Sequence, residues 1–577
     1  MNSNLKRRAF LKNTLLATGG VILVPNFISC SDDDLPASIK IPENLKIENF
    51  DWGVASFDPT ANQVIIWTRY ATTAPSASII WQLSLDSNFD TILREGEVVV
   101  DQSRDFTAAI EVKDLEPSLK LFYRFINSED VTVSPVGQTI TLAATGNEAV
   151  SFAVVSCANY PAGLFNVYKE VANSDVDIVI HLGDYIYEYA PDQYGTNENT
   201  VALNRVPEPN REIVSLDDYR TRYRQYRSDA DLKLAHQLKP FIAVWDDHEI
   251  TNDTYIDGAQ NHQSDEGSFE VRKQAALQAY SEFMPAMTND ISIIYRSFKI
   301  GDLADLIMLD TRLVGRDKQL EIFDYVDATG AIDAIRFQND LTDTSRTMLG
   351  AQQLSWFKNQ MTSSSSKYQI IGQQVLMGRM MMPAELLLIL GQILGEVAAL
   401  GTVTASTQAQ FEGSLMQLIQ LKVRLLANDS TLTAAERARI TTLIPYNLDA
   451  WDGYAAEREQ LLALFEDKNV VVLAGDTHNA WHNEIYNAAG KKVATEFATS
   501  SVSSPGFETY LGTSPEQLGA FQQALVVLID GLQNFDASQR GYLKVAVNDS
   551  GVNASWFFID TLENPNYSVT AGFTASL

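Results

Sequence analysis

The chain has 577 residues, 45% of them hydrophobic and 10% aromatic, with 73 acids against 43 bases and a formal net charge of −30. That apolar content supports packed cores for more than one domain. So acidic a surface argues against specific nucleic-acid recognition and against electrostatic attachment to an anionic membrane, and it repels a phosphorylated ligand unless bound cations reverse the field locally.

Residues 1–29 read as an export signal. LKRRAFLK followed by NTLLATGGVILVPNFIS has a basic start, a twin arginine and an apolar segment, the Tat type of leader, with Lys6 where that consensus prefers Ser or Thr. The four bases Lys6, Arg7, Arg8 and Lys12 face no acid there, so the chain without the leader is more acidic still. FISC then resembles a lipobox with Cys30 as the lipidated residue, although Phe27 stands where Leu is usual, and the SDDD that follows resembles a surface-export tag of bacterial lipoproteins. The expectation is a Tat-exported, periplasmic or cell-surface protein, including an outer-membrane lipoprotein, with a linker over 30–45 and membrane contact only through the lipid. A monomer is expected.

Only two cysteines occur, Cys30 and Cys157, so stability must come from the core rather than from a structural disulfide. Residues 46–147 carry short runs, QVIIWTRY, ASIIWQLSL, GEVVV, FTAAIEV, KLFYRFI and QTITL, separated by turn signals. This is the pattern of an antiparallel sandwich, and it contains no cluster of His, Cys or paired carboxylates.

From 148 to 577 strands alternate with helical stretches such as LFNVYKEVANS and DDYRTRYRQYRSDADLKLAHQL, which argues for a layered α/β domain. The Tyr/Arg stretch at 219–227 reads as a solvated helix face with its tyrosines packed inward; the alternative is a phosphate-attracting patch. Between about 379 and 445 lies an insertion rich in Leu, Ala and Gln at helical spacing, with the capping-box pattern TLTAAERARI near its end. Periodicity does not decide whether it is a lid or a packing element.

Six apolar runs in this region end abruptly in polar residues. SFAVVSC ends in Cys157, VIHLGDYIYEY in Asp184 and Tyr187, and FIAVWDDHE in Asp246, Asp247, His248 and Glu249. LADLIMLDTR ends in Asp310 and Arg312, YQIIGQQV holds Gln373 and Gln374, and NVVVLAGDTH ends in Asp476 and His478. Runs of this length bounded by turn signals read as buried strands, whose carboxyl ends form the ligand-binding rim of an α/β sheet. Asp184 is then placed to bridge two cations, with Cys157, Tyr187 and His478 completing the first and Asp247 and Asp476 serving the second. Thiolate, phenolate and imidazole suit a transition metal such as iron, and a carboxylate pocket suits calcium. Two such cations generate a hydroxide nucleophile and stabilise both oxygens of an in-line displacement, the chemistry of phosphate-ester hydrolysis. His248 is a candidate to protonate the leaving oxygen, or else only to hydrogen-bond a ligand. Cys157 is alternatively an apolar filler or a nucleophile. Of the other histidines, His181 reads as buried, His236 and His262 as surface residues, and His482 as a neighbour of the site.

These segments resemble a known family. GDYIY matches the GDxxY element of calcineurin-like metallophosphoesterases, and SCANY, HLGDYIYEY, the stretch from LDDYRTRYRQYR to WDDHEITND, MLDTR, LGAQQLSWF, DAWDGY and LAGDTH together resemble the PhoD-type alkaline phosphatase and phosphodiesterase group. The resemblance implies a multidomain chain, a fibronectin-like β-sandwich before an α/β four-layer αββα catalytic domain, with ferric iron and calcium as metals. It implies that Cys157, Asp184, Tyr187 and His478 hold iron, and that Asp184, Asp476 and one of Asp246 and Asp247 hold calcium. Asn159, Asn252, Gln374 and His482 become candidates for substrate or ligand support, and Arg312 for bidentate phosphate contact. Purple acid phosphatases have Asn in place of Asp247 and His in place of Asp476, which here favours calcium over a second transition metal. The chain departs from the PhoD-type pattern in reading VASFDP where SGDP is usual, and in its long insertion.

The expected activity is hydrolysis of phosphate monoesters, diesters or both, on small esters, with phospholipid, teichoic-acid-like and nucleotide diesters all compatible. Two alternatives stay open: a cysteine hydrolase using Cys157, and a surface lipoprotein that binds a ligand without catalysis.

Overall fold

Short apolar runs become strands wherever the next residues can turn the chain, and in this protein they assemble into two large sheets that face each other. The computed structural model describes residues 39–327, 332–511 and 515–577. The leader, Cys30 and most of the 30–45 linker therefore lie outside the described residues.

A nine-stranded sheet has the parallel trio Val150–Val155, Ile178–His181 and Phe241–Ala243 at its centre. Val155 pairs with His181 and His181 with Ala243, so the chain leaves all three strands at one level. In a seven-stranded sheet, Ala304–Met308, Tyr368–Gly372 and Val470–Ala474 are likewise parallel, with Met308, Gly372 and Leu473 in register. Side chains of a strand alternate between faces. Val471 and Leu473 accordingly join Phe152, Val154, Ile178 and Ile180 in the core between the sheets, whereas Val470, Val472 and Ala474 join the core of the helices Gly350–Ser363 and Ala455–Phe465.

The strands expected over 46–147 form, but they divide between two sheets. Ser76–Ser84, Ile92–Asp101, Lys120–Asn127 and Gly137–Ile140 belong to a separate six-stranded sheet. Val54–Phe57, Val64–Arg69 and Thr107–Val112 instead extend the nine-stranded sheet through the pair Phe241 and Phe57. Val54, Val64, Ile66 and Val112 share a core with Ile79, Leu83, Leu121 and Phe125 of the six-stranded sheet. Without this extension the short strand Phe241–Ala243, which carries four of the candidate site residues on its tail, would be an unprotected edge. Asp58 seals the junction. Its carboxylate takes a two-pronged ion pair from Arg296, at 2.6 and 2.7 Å, and a hydrogen bond from the Met287 N–H at 2.7 Å.

Three expectations change. The helical stretch from 217 splits at Asp229 into Leu216–Ser228 and Ala230–Leu238, because the Asp229 carboxylate accepts from the N–H groups of Asp231 and Leu232 and starts a new helix. The first of these helices is no solvated face: Arg222 and Arg227 are as buried as Tyr219, Tyr223 and Tyr226. Arg222 donates to the Tyr187, Tyr189 and Glu208 carbonyls, and Arg227 lies over the Trp67 ring. His236 is buried, stacked on Phe241 and hydrogen-bonded to the Tyr185 hydroxyl at 2.9 Å.

The insertion hangs from a two-stranded stem, Met381–Pro383 paired with Leu443–Pro445. It carries the helices Ala384–Leu400, Ala405–Leu426 and Ala434–Thr441, the last begun by the Thr433–Glu436 capping box. Among the described residues no helix is long and apolar enough to cross a membrane.

Removing Asp58 strands a buried guanidinium. Asp58→Ala is expected to destabilise the protein by about 3–5 kcal/mol, with Asp58→Asn milder, read as a lowered denaturant midpoint at constant slope.

Candidate metal centre

Aiming six strand tips at one rim requires unusual backbone. Cys157, Asp184, Asp476 and His478 all occupy the left-handed region, at φ of 59°, 56°, 62° and 62°. Such conformations cost about 1–3 kcal/mol each for residues other than glycine and persist only where the surroundings enforce them. The enforcement is visible. The Cys157 N–H donates to the Gly183 carbonyl at 3.1 Å and the Ala158 N–H to the Asp184 carbonyl at 2.8 Å, so the first two tips are zipped together. Gly183 has φ of 106°, and a Cβ there would sit 2.3 Å from Asp246 Cβ, so only glycine lets the second and third tips touch.

Glu249 ties the second tip to the third. Its buried carboxylate accepts from the backbone N–H groups of Asp184 at 3.0 Å, Tyr185 at 2.5 Å and Asp246 at 2.7 Å. Side chains on these loops are thereby aimed without being used as ties themselves.

Three groups of potential ligand atoms result, each within 4.8 Å: Cys157, Asp184 and His478; Asp184, Asp247 and His248; and Asp246, Asp247 and Asp476. Asp184 and Asp247 are each shared between two groups. The Tyr187 hydroxyl joins the first, 2.9 Å from Asp184 Oδ2 and 3.3 Å from His478 Nε2, and is itself contacted by Ser504 Oγ at 2.7 Å. His478 Nδ1 lies 2.7 Å from the Pro505 carbonyl, which assigns the proton to Nδ1 and leaves the Nε2 lone pair on the side of Asp184 and Tyr187.

Electrostatics show what this assembly lacks. Burial, reinforced by Asp247, Asp246 and Glu249, pushes the Asp184 carboxyl well above the usual range. Asp476 is pushed up by burial and by Asp246 and Asp449. Asp246 rises to about 6 through burial, against the pull of Arg312, and its Oδ2 is buried without a hydrogen-bond partner. Burial and Asp184 push the Cys157 thiol up as well. Carboxylates crowded this closely out of water stay protonated unless cations join them. The donor set fits: sulfur, phenol, imidazole and one carboxylate at one end, carboxylates alone at the other.

Arg312 supplies part of the missing charge. Fully buried, it bonds Asp246 through Nε at 2.5 Å, Asp449 through Nη1 at 2.8 Å and Asp476 through Nη2 at 3.1 Å. His248 supplies more. Burial alone would depress it, but Asp247, Glu188 and Asp184 more than reverse that and hold it protonated. Its Nδ1 donates to Glu188 at 2.7 Å, and its ring lies 4.2 Å from that of Tyr187. Glu188 is in turn held by the Asn252 N–H and Asn261 Nδ2, both at 2.8 Å.

Of the remaining candidates, Asn159 is fully buried behind the Cys157 tip, with both amide atoms lacking a hydrogen-bond partner. Asn252 turns its amide to Gln260 at 3.1 Å, away from the cluster. Gln374 is a strut between the sheets, donating to the Trp245 and Leu309 carbonyls and accepting from Thr311. His482 lies along the strand Ala480–Tyr486, 3.0 Å from Asn534 Oδ1, in none of the three groups. Sequence reading missed Glu188 and Asp449 as site residues, and placed Glu249 at a strand tip without its supporting role. Each lies within or beside a quoted motif, but a supporting carboxylate has no spacing signal of its own.

The family model for PhoD-like phosphatases matches residues 152–556, and that for their amino-terminal domain matches residues 36–143. Alkaline phosphatase D of Bacillus subtilis (strain 168) is 31% identical over 486 residues, which are 80% of this chain and 71% of that protein. A solved structure of PhoD aligns with a TM-score of 0.70 at 28% identity, covering 93% of this chain and 91% of that one.

Replacing Glu249 by Gln substitutes a donor for an acceptor opposite three backbone N–H groups. The variant is expected to lose about 10–100-fold in metal affinity, measured by titrating stripped protein and counting bound metal, while a folded far-UV spectrum is retained.

Proposed function

Because the chain belongs to the PhoD-like phosphatase family, and is therefore a phosphoric ester hydrolase, we propose that the clustered strand tips form a two-cation hydrolytic site. In this reading Cys157, Asp184, Tyr187 and His478 hold ferric iron, and Asp184, Asp476 and the Asp246/Asp247 pair hold calcium. The observation that carries it is the sharing of Asp184 between neighbouring groups of ligand atoms. Of the pair, Asp247 is the better ligand: it is held ionised by Arg312 and His248 despite burial, and its Oδ2 is oriented by the Asp253 N–H at 2.6 Å. Asp246 is engaged by Arg312.

The cations, when bound, lower the pKa of water and neutralise charge on the phosphoryl oxygens. The chain's own residues do the rest. Glu249 and Gly183 keep the carboxylates in place. Protonated His248, steered by Glu188, offers its Nε2 proton to the leaving oxygen or to the phosphoryl group. Arg312, beside Asp476, binds a phosphoryl oxygen in exchange for one of its carboxylate partners.

The same reading takes residues 46–147 as a fibronectin-like module and 148–577 as an αββα catalytic domain whose 379–445 insertion shapes the entrance. It takes the chain as a Tat-exported monomer, lipidated at Cys30 and acting on small phosphate mono- or diesters outside the cytoplasm. A cysteine-nucleophile mechanism is disfavoured by burial and by Asp184, both of which oppose the Cys157 thiolate in the absence of metal. A purely structural metal site leaves a protonated, steered His248 without a use.

Metal analysis together with turnover of p-nitrophenyl phosphate and bis-p-nitrophenyl phosphate tests this reading. Chelation is expected to abolish activity and thiol alkylation of the loaded enzyme to spare it. Asp184→Asn and Tyr187→Phe should each remove iron and its charge-transfer colour; survival of colour and activity in both would refute the ligand set.

A separate readout isolates His248. Glu188 favours its protonated form, so Glu188→Gln lowers its pKa. Activity that needs the proton then fails at lower pH, and the alkaline limb of kcat against pH is expected to move acidward by about a pH unit.

A further inference from the structure

A seventh strand ends at the rim. Lys492–Ala498 runs parallel to Val470–Ala474, with Ala498 in register with Ala474, so the TSSVSSP that follows over 499–505 leaves at the level of Asp476 and His478. Ser501, Ser503 and Ser504 in this segment are at most 1% exposed. A hydroxyl held out of water needs a partner, and the partners differ. The Ser501 hydroxyl donates to the Ser504 carbonyl and that of Ser503 to the Asn159 carbonyl, both at 2.7 Å. The Ser504 hydroxyl instead reaches a candidate ligand.

Three consecutive residues of the segment touch three of the four residues assigned to iron. The Ser503 and Ser504 N–H groups donate to the Cys157 carbonyl at 3.3 and 3.2 Å. The Ser504 hydroxyl lies 2.7 Å from the Tyr187 oxygen and 3.0 Å from the Cys157 carbonyl. Pro505 offers its carbonyl to His478 Nδ1 at 2.7 Å. The single Ser504 hydroxyl proton goes to Tyr187, because that contact is the shorter and the Cys157 carbonyl already accepts two N–H groups, one for each lone pair. The Tyr187 proton points the other way, to Asp184 Oδ2 at 2.9 Å. A tyrosine that gives up this proton to hold a cation keeps the Ser504 donation, which then falls on the ligating oxygen itself.

Resting on the reading of Tyr187 as an iron ligand, we propose that Ser504 is a positioning residue whose hydroxyl orients the Tyr187 oxygen, withdraws charge from it, and so sets the electron density at the cation. Partners of this kind fix a ligand's direction and tune the metal it holds, and hydrogen bonds to ligating atoms are one of the levers on reduction potential. A phenolate that accepts a hydrogen bond donates less to ferric iron, so Ser504 preserves the Lewis acidity that a phosphoryl oxygen meets.

The test compares the iron-loaded holoenzyme with its Ser504→Ala, Ser504→Thr and Ser503→Ala variants, following the phenolate-to-iron charge-transfer band and the ferric/ferrous potential. Ser504→Ala is expected to move the band to longer wavelength and to favour the ferric state about tenfold, a potential about 59 mV more negative. Ser504→Thr keeps the hydroxyl and should return both toward the native values. Ser503→Ala loses a comparably buried hydroxyl that is bonded to the Asn159 carbonyl, so it should leave band and potential unchanged even where it lowers Tm. Native band and potential in Ser504→Ala, or the same shifts in Ser503→Ala, would overturn the proposal. If the iron-loaded native protein shows no such band, the iron reading fails instead, and titration of stripped native and Ser504→Ala protein with cobalt(II) decides the role of Ser504. An affinity lowered about tenfold or more supports it; equal affinities refute it.

Discussion

One buried carboxylate sets the geometry of this site. Glu249 takes three backbone N–H groups from two separate strand tails and thereby fixes the distance between Asp184 and Asp246. Intramolecular hydrogen bonds contribute about 0.5–1.5 kcal/mol each, and three together are enough to hold Asp184 in a left-handed backbone that it would not otherwise keep. The close approach of Gly183 to Asp246 serves the same joint. Metal ligands need fixed spacing more than individual strength, and here the spacing is enforced by groups that need not touch a metal.

That rigidity gathers negative charge where solvent cannot screen it. Asp184, Asp246, Asp247, Asp449 and Asp476 converge on Arg312 and His248, too few positive charges for them all. The raised carboxyls of Asp184 and Asp476 express this imbalance, and bound cations are the means that removes it. The whole-chain charge of −30 points the same way, because an anionic ester approaches such a surface only through a locally reversed field. Arg312 is central to this balance: it pairs with Asp246, Asp449 and Asp476 at once.

The periphery is built around the same rim. Three amino-terminal strands close the edge beside Phe241–Ala243, and Arg222, far from its expected solvated position, holds the Tyr187 and Tyr189 carbonyls. The insertion enters and leaves through a paired stem, which brings Leu387 and Tyr446 to a cavity beside Asp449.

Much of this was legible in the chain itself. Apolar runs ending in Cys157, Asp184, Asp247, Asp476 and His478 identify the strands and the chemistry of their tips, because a strand's length and a ligand's donor atom are local properties. The strands of 46–147 and the capped helices of the insertion are local in the same sense. What only the tertiary structure decided depends on distant partners. The split of the amino-terminal strands between two sheets, the burial of Arg222 and His236, and the conversion of Gln374 into a strut follow from packing that no local pattern encodes. Glu188, Glu249 and Asp449 each act on at least one residue dozens to more than a hundred positions away, and a carboxylate that supports rather than ligates looks in sequence like any other acid.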